Sequence, residues 1–499
     1  MGMPTIDLAD IGPRLGAPAL GESARIIGVR SGMSGYFTPD DLAAQATVPS
    51  IDALRSAAAG PWNGYPVLVS NYYADADGGG GTFLWNGTST AADDGGLVIK
   101  PASVSGPGRW KRQLVGSVFN VKWWGARGNG AANDTAPIQA ATNAAVDAGF
   151  ANASYGLGRA CVLFPGGNYL SGGLLAAGAV AFQGLGQNIT QLTQLSGSTA
   201  PLLTVNAQWY GSNEFTNRGL PANIEVHGLL LTHQNVNDSA GNGVAHGILI
   251  GDAATNPVST KLVLRDVTLL GFPGSGISTA SGGWGNGTID AQNVLSRYNK
   301  QSALRMYGAS DTRWIGCDFG GLPSSTAPLL DLSGGVSNHF QNCYIYGSGT
   351  YNVSIYGGNV SFYFRGCYFD IPKLSHIALQ IFAGNSVRGN TGKSIVEIDG
   401  CTFRWFSQAG AGAASGLSIV SNSGAANSVL RIRGSEFIDL ANLFAGDLSS
   451  AYDVEFLGGT GTFPTVVIAP DNVFDRGSSY SRSSLSNRTD LIKSALMAA

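Results

Sequence analysis

Asp318, Tyr344, Tyr346, Tyr368 and Asp370 are the side chains of this sequence best suited to chemistry on a sugar. Aromatic rings stack on pyranose faces, and hydrolysis of a glycosidic bond needs two carboxyl groups with separate roles. All five belong to near copies of one short segment. The copies are Trp314-Ile315-Gly316-Cys317-Asp318-Phe319, Phe340-Gln341-Asn342-Cys343-Tyr344-Ile345, Phe364-Arg365-Gly366-Cys367-Tyr368-Phe369, Ile398-Asp399-Gly400-Cys401-Thr402-Phe403 and Ile432-Arg433-Gly434-Ser435-Glu436-Phe437. Weaker copies centre on Leu229, Val267 and Val294. Aligned on the Cys position, the next residue reads Leu230, Thr268, Leu295, Asp318, Tyr344, Tyr368, Thr402, Glu436. Two residues further on the column reads Thr232, Leu270, Arg297, Gly320, Tyr346, Asp370, Arg404, Ile438. Asp318 and Asp370 are the candidate catalytic pair. Tyr344, Tyr346, Tyr368 and Arg404 are candidate sugar contacts, and Asp331 and Glu436 are second-choice acids that equally suit solvated rung positions. Two repeats separate the pair, about 10 Å along stacked strands. That is slightly beyond the roughly 6.5–9.5 Å of inverting glycosidases, a difference that side-chain reach can close. The same face would serve equally for sugar contact without catalysis, or for burial against a neighbouring subunit.

Other chemistries find less support. His227, His233, His246, His339 and His376 form no metal-spaced set. No serine has a nucleophile-elbow context. The run Gly78-Gly79-Gly80-Gly81 lacks the Lys-Ser/Thr of a phosphate loop, and no helix follows it. Cys317, Cys343, Cys367 and Cys401 share one repeat position, with Cys161 apart. Residues stacked about 4.8 Å apart do not converge on one ion, so they are expected as buried free thiols. Neither metal nor cofactor is expected. Free thiols agree with assembly in a reducing cytoplasm.

The element that positions these residues is a bent strand. Gly or Asn takes a positive-φ corner, and side chains alternate in and out on either side. A second short strand lies in each interval, as in Gly247-Ile248-Leu249-Ile250 and Leu329-Leu330-Asp331-Leu332. The repeat step runs from 23 to 38 residues. Short strands at such a period define a solenoid, and the minimum fits one turn of a three-faced parallel β-helix. A leucine-rich repeat would need a Leu ladder with a helix per repeat, and neither is present. Of 499 residues 72 are Gly, 44% are hydrophobic and only 12% are charged, a balance of turns and strands rather than disorder. A net charge of −3 offers no surface for nucleic acid or anionic membrane. No apolar run is long enough to span a bilayer, and the start shows no Sec signal pattern.

Ahead of the repeats, residues 1–50 read as an arm or adaptor, with a strand at 25–29 and a helix start at 38–45 capped by Thr38 and opened by Pro39. Residues 51–115 read as a small β-rich unit with a helix at 51–59. Its pieces are the Gly-rich turn into Thr82-Phe83-Leu84-Trp85, then Asp93-Asp94-Gly95-Gly96-Leu97-Val98-Ile99, then Gly108-Arg109-Trp110-Lys111-Arg112. In that order they resemble the module that precedes the β-helix of many bacteriophage tailspike proteins. The next stretch runs Phe119-Asn120-Val121-Lys122-Trp123-Trp124-Gly125-Ala126-Arg127-Gly128-Asn129-Gly130, then Asn133-Asp134-Thr135-Ala136-Pro137-Ile138, then Phe164-Pro165-Gly166-Gly167-Asn168-Tyr169. It is similar to the opening of the pectate-lyase-like superfamily of tailspikes and depolymerases, departing at Asn129 and Asn133, where that family often has Asp. Asp134 or Thr135 would cap a helix over about 134–147, with Ile138, Ala141 and Ala145 on the side that closes the open end of the solenoid.

The fold expected is therefore all-β: a right-handed parallel β-helix over 116–475 with an N-terminal capping helix, preceded by the small module and followed by a tail or end cap at 476–499. The resemblance implies a homotrimeric tailspike in the phage virion, attached to the tail or baseplate through its N-terminal region. Its partner would be a bacterial capsule, exopolysaccharide or O-antigen, depolymerised by hydrolysis. A non-catalytic receptor-binding spike and a polysaccharide lyase are the alternatives.

Overall fold

The computed structural model describes residues 26–30, 33–37, 46–151, 160–205, 222–251, 260–280, 288–322, 324–347, 351–357, 360–371, 377–383, 394–405, 414–421, 429–438, 451–457, 465–469 and 471–474. The expected helix start at 38–45, His376 and the tail at 476–499 lie outside them. The chain divides into two units, Met1–Gly116 with Lys122–Gly125, and Ser117–Val121 with Ala126–Ala499.

In the first unit, Ile26–Arg30 pairs antiparallel with Met33–Phe37, so the single strand expected in the arm is half of a hairpin. A five-stranded sheet follows. Ala46–Val48 pairs parallel with Pro66–Val69, and Gly81–Asn86, Arg109–Arg112 and Val98–Ile99 continue it antiparallel. Helix α1, Ile51–Ser56, is capped by Ser50, whose hydroxyl accepts from Ala53 N at 3.2 Å. It is shorter than the 51–59 expected because Ala57 turns extended. Ile51, Leu54, Val67, Val69, Phe83, Trp85, Ile99 and Trp110 form the core.

The glycine run has a structural use here. Arg112 is buried and donates to the carbonyls of Gly79, Gly80 and Gly96. Burial pulls its guanidinium down to about 10. A Cβ on Gly80 would lie 2.2 Å from Ser70 O. Glycine lets the backbone pack that closely.

The second unit is a parallel coil of three strand ladders. Two ladders join at a corner into a 21-stranded sheet, and the third is a separate 10-stranded sheet. One full turn is Arg313–Ile315, Asp318–Gly321 and Leu330–Ser333, and the next is Asn338–Gln341, Tyr344–Tyr346 and Tyr351–Gly357. The corner between the first two strands is one residue in left-handed conformation. It is Gly228, Asp266, Asn293, Gly316, Asn342, Gly366, Gly400 or Gly434, all with φ between 52° and 60°. Glycine, and after it Asn and Asp, adopt that conformation at least cost.

The residue after each corner points inward. Cys317, Cys343, Cys367 and Cys401 are buried, and each donates its thiol to the chain one rung back: Cys343 to Trp314 O at 3.5 Å, Cys367 to Phe340 O at 3.4 Å, Cys401 to Phe364 O at 3.5 Å. All five cysteines are free thiols. Burial pushes the Cys401 thiol well above its usual value. Two stacks of rings flank this column inside the coil. Trp314, Phe340 and Phe364 form one, and Phe369, Phe403 and Phe437 the other, the latter with centroids 4.5 and 4.7 Å apart.

Coiling begins earlier than the repeats at 229 suggest. Val118–Asn120, Ala160–Leu163 and Val180–Gln183 already stand in the first ladder, and Gly167–Ser171 and Thr190–Gln194 in the second. Their corners are multi-residue turns, such as Phe164-Pro165-Gly166, so the one-residue signature is missing.

Helix α2, Thr135–Ala151, buries Ile138, Ala141 and Ala145 against the first turns. Asp134 stands before it, as expected of a cap, but its carboxylate reaches back to accept from Arg127 N and Gly128 N at 2.7 and 3.0 Å. Asn133 instead accepts from Thr135 N. Gln139 covers the open edge of the third sheet, where Leu174–Ala176 is the end strand. Its amide donates to Leu175 O at 3.0 Å and accepts from Leu175 N at 2.8 Å, the two bonds a further strand would make. Gln139→Ala is therefore expected to cost roughly 1–3 kcal/mol. Hydrogen exchange is the check, with Leu175 losing protection; unchanged protection there would refute the edge-clamp role.

Candidate functional site

The register places both outward columns as the alignment of the repeats has them. Leu295, Asp318, Tyr344, Tyr368, Thr402 and Glu436 are successive partners, and so are Arg297, Gly320, Tyr346, Asp370, Arg404 and Ile438. Asp318, Tyr344, Tyr346, Tyr368, Asp370 and Arg404 thus share the outer surface of the second ladder. Glu436 stands on the same ladder, exposed, two rungs beyond Tyr368.

Asp331 does not join them. It lies on the third sheet, paired in register with Arg305 and Ser354. There Tyr307 donates its hydroxyl to Asp331 Oδ2 at 2.7 Å, and Arg305 Nε donates to the Tyr307 hydroxyl at 2.6 Å. The Leu329-Leu330-Asp331-Leu332 alternation showed that Asp331 points outward, but not from which face.

Asp370 is the group most altered by its surroundings. Its Oδ1 is buried with no hydrogen-bond partner among the described residues. Burial raises its carboxyl to about 6, with Arg404 on the next rung pulling the other way. The backbone is held independently, since Asn352 Nδ2 donates to Asp370 O at 2.8 Å.

Asp318 is in a different state. Arg297 grips both of its oxygens, with Nε donating to Oδ1 at 2.8 Å and Nη2 to Oδ2. That bond holds the Arg297 guanidinium above its ordinary value. Tyr346 leans over the pair, with Arg297 Cζ 5.7 Å from its ring centre. Burial first, and then the Asp318 charge, push its phenol up. Gly320 makes the arrangement possible. It sits in register between Arg297 and Tyr346, and a Cβ there would come within 3.0 Å of the Tyr346 ring tip and 3.1 Å of Arg297 Cγ.

Tyr344 and Tyr368 form an outward platform, with centroids 5.5 Å apart and planes at 39°. Tyr344 is 57% exposed.

The two carboxylates are further apart than a count of rungs suggests. They sit two rungs apart and in different columns, so two residues along the strand add to two steps across it. Together these amount to about 12 Å between Cα atoms. A retaining pair, with carboxyl groups roughly 5 Å apart, does not fit this register. Arg297 and Gly320 escaped selection as functional residues. The signal that would have found them is a charge, a gap and an aromatic ring on three successive rungs of one column.

Residues 47–115 match the family model of the phage tail protein small four-stranded β-sheet domain. No curated protein sequence matches the chain. Among solved structures, the gp42 tailspike of Acinetobacter phage vb_AbaP_AS12 superposes with a TM-score of 0.54 at 12% identity, over 89% of this chain and 78% of that one. Tailspike protein 4 of bacteriophage CBA120, as its enzymatically active domain, gives 0.51 at 14% identity, over 92% and 58%. Full-length tailspike protein 2 of an Escherichia coli O157:H7 bacteriophage gives 0.49 at 16%, over 94% and 58%. The fold is that of phage tailspike proteins, a parallel β-helix preceded in sequence by a small tail-type β-sheet domain. The chain spans 58% of the length of each of the last two structures.

Proposed function

We propose that this chain is a virion tailspike that binds and depolymerises a bacterial surface polysaccharide by hydrolysis, working as a homotrimer attached to the phage tail through its N-terminal region. The observation that carries the reading is Asp370, a half-buried carboxyl raised to about 6 whose Oδ1 has no hydrogen-bond partner among the described residues, beside the Tyr344–Tyr368 platform. A carboxyl raised to that value can hold a proton near neutrality and deliver it to a leaving oxygen. The ion-paired Asp318 is the second carboxylate. A Cα separation of about 12 Å leaves room for a water between the two carboxyls, as inversion at the anomeric carbon requires, once side-chain reach shortens the gap. Tyr344, Tyr346, Tyr368 and Arg404 hold the sugar, and Glu436 extends the contact beyond Thr402. The match of residues 47–115 to a phage tail domain supports the attachment role.

The test is incubation of the protein with capsule, exopolysaccharide or O-antigen, followed by product sizing, mass analysis and NMR of the first-formed anomer. Discrete oligosaccharides carrying one added water, with an inverted reducing end, support the reading. Products lacking water and ending in an unsaturated sugar would make the protein a lyase. Binding without shortening would make it a receptor-binding spike.

A further inference from the structure

On the outer side of the first ladder, away from the Asp370 surface, lies a cleft of about 320 Å³. Lys261, Asp290, Asp311, Arg313, Ser337 and His339 line it. The register explains its length. Lys261 pairs with Thr288, two residues ahead of Asp290, and Asp290, Arg313 and His339 are successive partners, so the lining spans four rungs. The cleft therefore runs along the coil axis, as a bound chain would. It is also rigid. Asp311 and Ser337, at its rim, hold left-handed backbones with φ of 54° and 61°. Each is fixed by the neighbouring turn, Asp311 N donating to Val336 O at 2.8 Å and Ser337 N to Ser361 Oγ at 2.6 Å.

Its charges are arranged unequally. Asp290 takes two guanidinium groups, with Arg265 at 3.0 Å and Arg313 at 3.2 Å. Arg313 uses one nitrogen for this while its side chain stays 60% exposed, leaving donors for a ligand. Lys261 has no hydrogen-bond or ion-pair partner among the described residues. Two cationic donors thus face one cleft, and a ligand carboxylate is the group that satisfies both. A bare inorganic anion is a poorer fit, because it offers no donor to Asp290 and Asp311, which face the same space. Those acids suit a ligand that also carries hydroxyl donors. His339, at the end of the cleft, lies flat on Tyr363, with ring centres 4.6 Å apart and planes at 10°, and the ring so held gives a sugar ring a surface to rest on.

We propose that this cleft is a second glycan site, selective for a carboxylate-bearing sugar such as a hexuronate. Lys261 and Arg313 bind the carboxylate, and Asp311 accepts from the hydroxyls. It deepens the proposed function by naming an acidic saccharide as the substrate class, yet it shares no residue with the Asp370 surface, so the two can fail separately.

The test uses the full chain and its Asp370→Asn variant, with methyl glucuronide, methyl glucoside and inorganic phosphate as probes in ligand-detected NMR titrations. The glucuronide is expected to bind both proteins alike, at least tenfold more tightly than the glucoside, and phosphate is expected not to displace it. Lys261→Ala should weaken glucuronide binding about tenfold and Lys261→Arg should restore most of it, both with unchanged melting temperatures. His339→Ala should weaken it while leaving cleavage of short oligosaccharides intact. Equal binding of glucuronide and glucoside, displacement by phosphate, or indifference to Lys261→Ala would each overturn the proposal. Loss of glucuronide binding in Asp370→Asn would place the ligand at the other surface and overturn it as well.

Discussion

Asp370→Asn is expected to lower kcat/KM on the polysaccharide by about 10²- to 10⁴-fold, the usual worth of a positioned general acid, and to make the folded protein more stable at neutral pH. A loss of activity alone would be ambiguous; the pairing of the two effects is the diagnostic. The amide is nearly isosteric and cannot ionise, so it removes the proton donor without emptying the site. Polysaccharide binding, measured apart from turnover, should persist, because Tyr344, Tyr368 and the Arg297–Asp318 pair are untouched.

The stability effect follows from the sign of the shift. The Asp370 carboxyl is raised in the fold from its ordinary 3.8 to about 6 by burial, so the native state holds the proton more tightly than the unfolded chain does. That contribution is fully present below about pH 4 and is lost as pH rises through about 6. At pH 7 to 8 the wild type carries an ionised, half-buried carboxylate and the variant does not. Melting temperatures should therefore favour the variant at pH 8 and converge below pH 4. Activity of the wild type should fall with a limb near pH 6 in kcat/KM, since the acid must be protonated to act. Equal melting curves at pH 8, with no limb near 6, would mean that Asp370 is an ordinary surface carboxylate.

The repeats were legible because the corner is chemically demanding. Only Gly, Asn or Asp holds its left-handed residue at low cost, and the residue after it points inward and is apolar or small: Leu229, Val267 and Val294 in the first copies, Cys or Ser in the later ones. Those two constraints recur in each copy and set the register of every outward column, so Asp318, Tyr344, Tyr346, Tyr368 and Asp370 fall on one surface. What stayed hidden depends on distance between rungs. Nothing local to Arg297 marks it as the partner of Asp318, and Gly320 looks like any other turn-prone residue until the Tyr346 ring is seen to occupy its space. Asp331, on the third strand of its turn, lies on the third sheet, and an outward position there does not reveal which face it shares with the other strands of the turn. The rungs between 118 and 205, inside the β-helix expected over 116–475, carry no recognisable copy of the repeat because wide corners erase the one-residue signature. The separation of the two acids was underestimated because a count of rungs ignores position along the strand.

Phe403→Ala is expected to cost roughly 3–5 kcal/mol, the range for removing a buried phenyl group. Phe403 is fully buried and is the middle ring of a three-ring column, 4.5 Å from Phe369 at 2° and 4.7 Å from Phe437 at 3°. Its removal takes away the transfer energy of the ring and opens a void that both neighbours line. They cannot collapse into it, because each is fixed by its own rung: Phe369 pairs with Phe403 in register, and Phe403 with Phe437. A coil contacts only its neighbours, so the damage should be local. Hydrogen exchange should accelerate over 361–371, 395–405 and 429–438 while 160–205 keeps its protection. Uniform acceleration along the coil would show that the β-helix unfolds as one cooperative block. Leu at this position should recover part of the loss, since it refills volume without restoring the stack. The same variant also tests the Asp370 surface from beneath. Asp370 follows Phe369 directly, so loosening the stack should broaden the Asp370 titration and reduce kcat more than KM; a void that left both unchanged would mean that the outer columns are held by the ladder hydrogen bonds alone.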